Sequence, residues 1–139
     1  MAIPTVFVDT SGFYALLVRG DLQHNKAAEI VDRARKAGAY MATTDYIVDE
    51  TATLFKARSL GHLNSGFFEL LDGSRALRFQ FVDEARFQKS RAYFQRHADH
   101  GYSFTDCSSF IVMQEIGAVE ALTKDGHFRE AGFKVLLSP

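Results

Sequence analysis

The sequence predicts an α/β domain in three layers, with a mostly parallel central sheet covered by helices on both faces. Short runs rich in β-branched and aromatic residues alternate along the chain with stretches of 3.6-residue apolar period. That alternation implies right-handed crossovers between parallel strands. The 139 residues are 47% hydrophobic, enough to bury a core in one domain spanning the whole chain, residues 1–139. No repeat, low-complexity tract or Pro/Gly-rich linker divides it, and the only prolines are Pro4 and Pro139.

Each element has a local reason. Val6, Phe7 and Val8 form a strand, stopped by Asp9, Thr10, Ser11 and Gly12, after which residues 13–18 read as a helix. Residues 22–37 set Leu22, Ala27, Ala28, Ile30, Val31 and Ala34 among charges, the period of an amphipathic helix closed by Gly38. Residues 40–43 read as a second strand. Asp45 can cap a helix from residue 46 to about 60, ended by Gly61, and residues 62–71 form a shorter one ending near Gly73. Leu77, Phe79 and Phe81 alternate with Arg78 and Gln80, a period of two that marks a strand. A charged helix over 84–98 and an apolar one over 105–117 follow. The chain finishes with a strand over 119–123, a turn and short helix over 124–131, and a last strand over 134–137.

Charge and cysteine content narrow the function. A net charge of −1 excludes a uniformly basic nucleic-acid coat, so any polyanion must find a local groove. The single cysteine, Cys107, forms no disulfide within the chain, and no Cys/His framework has zinc-site spacing. The N-terminal apolar stretch carries Asp9 and no basic leader, and no segment reaches the roughly 20 apolar residues of a membrane span. These features predict a soluble protein of a reducing cytoplasm.

In open parallel sheets, ligands bind beyond the carboxyl ends of the strands, where strand order reverses. Several acids fall at such places. Asp9 ends the first strand, where it also suits a helix cap. Asp125 follows a later strand and precedes Gly126, as in a simple turn. Asp106 stands at a helix start, where the helix field favours negative charge whether it caps or binds metal. Glu50 lies on the border of an apolar helix face, costly for a carboxylate that is neither paired nor bound to a cation, whereas neighbouring Asp49 points away as a solvated residue. Carboxylates converging at one sheet edge repel strongly in a low-dielectric cleft, and a hard divalent cation resolves the repulsion. Oxygen ligation suits Mg²⁺ or Mn²⁺ rather than zinc, and the chemistry implied is metal-assisted phosphodiester hydrolysis.

The motifs VFVDTSGFYALL, TTDYIVDETATLF, SFTDCSSFIVM and ALTKDGHFREAGF resemble those of the PIN-domain nucleases. They are especially similar to the VapC-type ribonucleases of bacterial and archaeal toxin–antitoxin systems. The four stand in family order across residues 6–133. The resemblance implies that Asp9, Glu50, Asp106 and Asp125 are the acidic metal ligands and catalytic residues, Asp125 being the least uniform in role. Thr10 and Thr105 would orient a carboxylate or a bound water. It also implies an RNA substrate, a homodimer, and an antitoxin protein that covers residues 46–71 and reaches the acidic site. A solitary RNA-processing nuclease with the same site fits the motifs as well. A PIN-like binding module without catalysis is disfavoured by the retention of all four acids. A haloacid-dehalogenase-type phosphatase would need an aspartate where Ser11 stands.

Five cations lie in or near the motifs and could contact phosphates: Arg19, Lys56, Arg58, Lys124 and Arg129, each also an ordinary surface charge. Arg86, Lys89, Arg91 and Arg96 read as a solvated helix face, and His97 and His100 as solvated histidines. Cys107 reads as core packing, His127 as a candidate for the cleft wall, and Phe67, Phe68, Phe110 and Phe128 as core or interface.

Overall fold

The computed structural model describes residues 4–139, so the first residues of the N-terminal apolar stretch lie outside the described part. The elements run β1 (Thr5–Val8), α1 (Thr10–Leu17), α2 (His24–Lys36), β2 (Tyr40–Thr44), α3 (Asp45–Ala57), a 3₁₀ turn (Gly61–Leu63) and α4 (Asn64–Gly73). There follow β3 (Leu77–Gln80), α5 (Glu84–Arg96), α6 (Phe104–Ile116), β4 (Glu120–Leu122), α7 (His127–Glu130) and β5 (Lys134–Val135). The five strands form one parallel sheet of order β3-β2-β1-β4-β5, the three-layer α/β/α arrangement expected from the alternating pattern.

That order fixes where a site can form. The chain builds outward from β1 through β2 to β3, then returns to the other side of β1 with β4. The switch point therefore lies between β1 and β4, whose register pairs Val8 with Leu122. The next residues, Asp9 and Thr123, leave the sheet side by side, and the Asp9 amide donates to the Leu122 carbonyl at 3.2 Å. Gly12 lets α1 approach this corner: a Cβ there would stand 2.1 Å from the Leu122 carbonyl oxygen, well inside contact distance, so no larger residue fits without displacement.

The core fills both sides of the sheet. Phe13, Phe55 and Phe67 are fully buried and meet edge-on, the Phe13 and Phe67 rings 5.0 Å apart and those of Phe55 and Phe67 6.0 Å apart. Phe110 meets Phe128 edge-on at 5.0 Å, and Phe128 reaches Phe7 of β1. Burying each such ring is worth about 1.5–3 kcal/mol, and together they clamp α1, α3 and α4 on one cluster and α6 and α7 on the other. Cys107 is fully buried in this core, and burial pushes its thiol up to about 11, which makes it an unreactive packing residue. Phe68, read as core or interface, lies outside the core and is 46% exposed.

Element boundaries differ from the sequence pattern for local reasons. Leu22 is fully outside the amphipathic face, 96% exposed, because α2 starts only at His24. Thr44, not Asp45, caps α3 by accepting from the Ile47 amide at 3.1 Å; Asp45 turns aside to accept from the Val82 amide at 2.7 Å. The helix ends at Ala57, and Ser59 at φ 60 breaks it before Gly61 is reached. Arg86 is no solvated residue: it binds Glu115 of α6 at 2.7 Å, the Phe81 carbonyl at 3.0 Å and Gln80 at 3.0 Å, and Lys89 joins Glu115 at 2.7 Å. His97 stacks on Tyr93 and is half-buried, while His100 stacks on Tyr102 and stays exposed as expected.

Candidate active site at the sheet switch point

Asp9 heads α1 but its side chain makes no capping bond. Its Oδ2 instead accepts the Thr123 hydroxyl at 2.7 Å across the switch point. The carboxyl is buried, and burial pushes it up to about 7 despite hydrogen bonds from Thr123 and the Thr10 backbone that favour the charged form; the carboxylates of Asp106 and Glu50 raise it further. A buried acid repelled by two neighbouring acids is a group that a cation would stabilise.

The remaining acids arrive from three other elements. Glu50, on the second turn of α3, is exposed and not at a buried border; the Thr10 hydroxyl donates to its Oε1 at 2.5 Å, and Thr51 donates to Thr10 at 3.4 Å. Asp106 is the third residue of α6, and it caps the helix while its buried carboxyl stands 3.3 Å from His127. Ser103 is the N-cap: its hydroxyl accepts from the Asp106 amide at 2.9 Å while Asp106 Oδ2 accepts from the Ser103 amide at 3.0 Å, a capping box. Burial raises the Asp106 carboxyl above the usual range; the Ser103 hydrogen bond opposes this, the Asp125 carboxylate adds to it, and His127 opposes it. Asp125, beyond β4, accepts the His127 amide on Oδ1 at 2.9 Å and donates its own amide to Thr123 at 3.0 Å.

Asp106, Asp125 and His127 each offer one ligand atom, and the three atoms lie within 4.8 Å of one another. Electrostatic coupling links Asp9 to Glu50 and Asp106, and Asp106 to Asp125, so the four acids form one connected set. Oxygen donors crowded in this way fit a hard divalent cation. The N-termini of α1 and α6 also point their amides at the acids and favour their charge.

Two grooves that share Thr10 and Glu50 reach this set, and Asp106 and His127 line neither of them. One, of about 440 Å³, is lined by Asp9, Thr10, Glu50, Arg58, Lys124 and Asp125 among others. The other, of about 780 Å³, runs from Thr10 and Glu50 past Asp49 and Thr105 to Tyr46 and Phe104. Asp49 therefore shares a groove with Glu50 instead of pointing away. Of the two threonines expected to orient site groups, Thr10 bonds Glu50, while the Thr105 side chain lines the larger groove and bonds no site carboxylate among the described residues. Arg58 overhangs the smaller groove with its guanidinium 5.1 Å above the Tyr14 ring. Lys124 is held by both oxygens of Asp21, at 2.8 and 2.7 Å, so its charge is largely matched. Burial alone would raise Asp21, but Lys124 keeps it below the ordinary value. Arg19, Lys56 and Arg129 are exposed and line neither groove.

Reading residues alone missed Thr123, Ser11 and Asp21. Thr123 is the hub: its proton goes to Asp9, so Ser11, 3.1 Å away, donates to it, and the Ser11 oxygen in turn accepts the Lys124 amide at 2.8 Å. A hydroxyl two residues before an acid at a strand end was the available signal. Asp21 carried none, since its partner is distant in sequence.

Compared with known proteins, residues 6–134 match the model of the PIN domain. The chain is 34% identical over 128 residues to the 23S rRNA-specific endonuclease VapC20 of Mycobacterium tuberculosis strain H37Rv, covering 92% of this chain and 95% of that protein. The crystal structure of Mycobacterium tuberculosis VapC20, described as a sarcin-ricin loop cleaving toxin, matches with a TM-score of 0.81 and 30% identity, covering 96% of this chain and 99% of that one. FitAcB from Neisseria gonorrhoeae shares the fold at a TM-score of 0.60 and 17% identity, over 95% of this chain and 96% of that one.

Proposed function

The chain belongs to the PIN-domain family, and on that premise we propose that it is a divalent-metal-dependent endoribonuclease of the VapC type, the toxin of a toxin–antitoxin pair. The observation that carries this reading is the convergence of Asp9, Glu50, Asp106 and Asp125 at the switch point between β1 and β4. These four come from four separate segments and repel one another there. The similar VapC20 is described as 23S rRNA-specific, so ribosomal RNA is the first substrate to offer.

Asp9, Asp106 and Asp125, with Glu50, would hold Mg²⁺ or Mn²⁺. A cation bound there would supply Lewis acidity toward a phosphodiester oxygen and lower the pKa of a water. The chain's own groups do the positioning. Thr123 fixes the rotamer of Asp9, and Thr10 fixes that of Glu50. Arg58 stands at the groove edge where a flanking phosphate would pass, a contact that sets register without reading bases. Exposed Arg19, Lys56 and Arg129 would act only as diffuse positive charge toward RNA, and Lys124, matched by Asp21, would line the smaller groove. The apolar groove beside Tyr46, Leu54 and Phe104 is the surface an antitoxin segment would cover, and we assign the protein a homodimeric state in the cytoplasm, as its family resemblance implies.

The test is cleavage of purified total RNA by the wild type and by Asp106→Asn, with Mg²⁺ or Mn²⁺ and with a chelator. Asn keeps an oxygen for the Ser103 amide, so the capping box and the fold survive while the charge is lost. Metal-dependent fragments that disappear in the variant are expected. Full activity of Asp106→Asn would remove the assignment.

A further inference from the structure

The imidazole of His127 belongs to the site in a way that the four acids alone do not explain. Its Nδ1 stands 3.3 Å from Oδ2 of Asp106 and 3.3 Å from Oδ1 of Asp125. Both separations are long for an N–H···O hydrogen bond, and one N–H would have to be divided between two acceptors. The spacing is close to that of neighbouring ligands around one ion, since donors about 2.1–2.2 Å from an octahedral cation stand about 3 Å apart.

The ring is held there by its surroundings. The turn Asp125, Gly126, His127 folds back through the amide bond to Asp125, bringing both side chains to one side. The ring packs edge-on against Tyr102 at 5.6 Å. Gly101 leaves room for it, because a Cβ there would come within 3.1 Å of Nε2. On the far side Glu130 places Oε2 3.9 Å from Nε2. Two carboxylates beside Nδ1 draw a proton there while no ion is bound; an ion between Asp106 and Asp125 would take that proton's place, and the remaining N–H, on Nε2, would face Glu130.

We propose that His127 is itself a ligand of the cation, its Nδ1 joining Asp106 and Asp125, and that this nitrogen biases the site toward Mn²⁺ over Mg²⁺. The inference rests on the metal-dependent reading above. Mg²⁺ is held almost wholly through oxygen, whereas Mn²⁺ accepts an imidazole more readily. Glu130 acts through His127 and is a positioning residue.

The experiment is pulsed EPR on the Mn²⁺-loaded protein, which detects ¹⁴N bonded to the ion, together with calorimetric Mn²⁺ and Mg²⁺ affinities for the wild type, His127→Gln and Glu130→Gln. Expected are a ¹⁴N coupling in the wild type that vanishes in His127→Gln, and a loss of about tenfold or more in Mn²⁺ affinity. Losing even an indirect partner of a metal ligand costs about 10–100-fold. The Mg²⁺ affinity should fall less, so the preference for Mn²⁺ narrows; Glu130→Gln should shift affinity in the same direction while keeping the ¹⁴N signal. Tight Mn²⁺ binding without ¹⁴N coupling, or with a coupling that persists in His127→Gln, overturns the assignment and leaves the acidic site standing. A wild type that binds neither ion overturns both readings together.

Discussion

The hydroxyl of Thr123 donates to Oδ2 of Asp9 at 2.7 Å, and this bond ties the end of β4 to the end of β1 where the strand order reverses. The same oxygen accepts the Asp125 amide at 3.0 Å, so one side chain orients two acids. Thr123→Val keeps the shape and removes both bonds together with the one from Ser11. It should cost about 1–3 kcal/mol of stability, because a buried carboxyl and an amide lose their partner, and about tenfold in metal affinity. Denaturant unfolding and calorimetry read the two effects; a variant with native metal affinity would show that Asp9 does not depend on this bond.

Asp9 also sets a pH dependence. Its carboxyl titrates at about 7 when folded against an ordinary 3.8, so the folded state keeps a proton that the unfolded state releases. Stability from this group is full below about pH 4 and is lost as pH rises through 7. The melting temperature of the metal-free protein should therefore fall between pH 5 and about pH 8. Asp21 and Glu115, held low by their cationic partners, act only at more acid pH. Saturating Mn²⁺ should flatten the fall, because the ligand must ionise to bind, and cleavage should rise through pH 7. A metal-free melting temperature that climbs across this range would contradict the burial of an uncompensated Asp9.

Gly12→Ala tests the corner that carries the site. The added methyl would lie 2.1 Å from the Leu122 carbonyl oxygen, so α1 must move away from β4. Overpacking of this kind costs about 1–3 kcal/mol, and the strand ends bearing Asp9 and Thr123 should part with it. Lower stability together with weaker metal binding is expected; an unchanged unfolding midpoint would place α1 farther from β4 than described.

Arg58 should act on substrate and not on the fold. It is exposed, it overhangs the smaller groove, and its only ring contact is Tyr14 among the described residues. Arg58→Ala should change stability by no more than about 0.5 kcal/mol, raise KM for RNA with little change in kcat, and reduce the salt slope of binding by about one phosphate contact. An equal fall in kcat with KM unchanged would assign it to the reacting phosphate.

By itself the sequence determined the class of fold and the five strand positions, because hydrophobic period is a local property, and it named four acids as candidates through the motifs that carry them. It placed Asp106 at a helix start, and the structure adds that this capping carboxylate also lies beside His127 and Asp125. Tertiary structure decided which groups meet. Strand order set Asp9 beside Thr123, which are 114 residues apart. It also gave Lys124 to Asp21, turned Arg86 inward to Glu115 and brought His127 between Asp106 and Asp125. None of these partnerships has a local signature, since each arises where distant segments are forced together by burying a shared core. The raised carboxyl of Asp9 follows from the same cause: its charge is read from the sequence, but its desolvation exists only once the sheet is assembled.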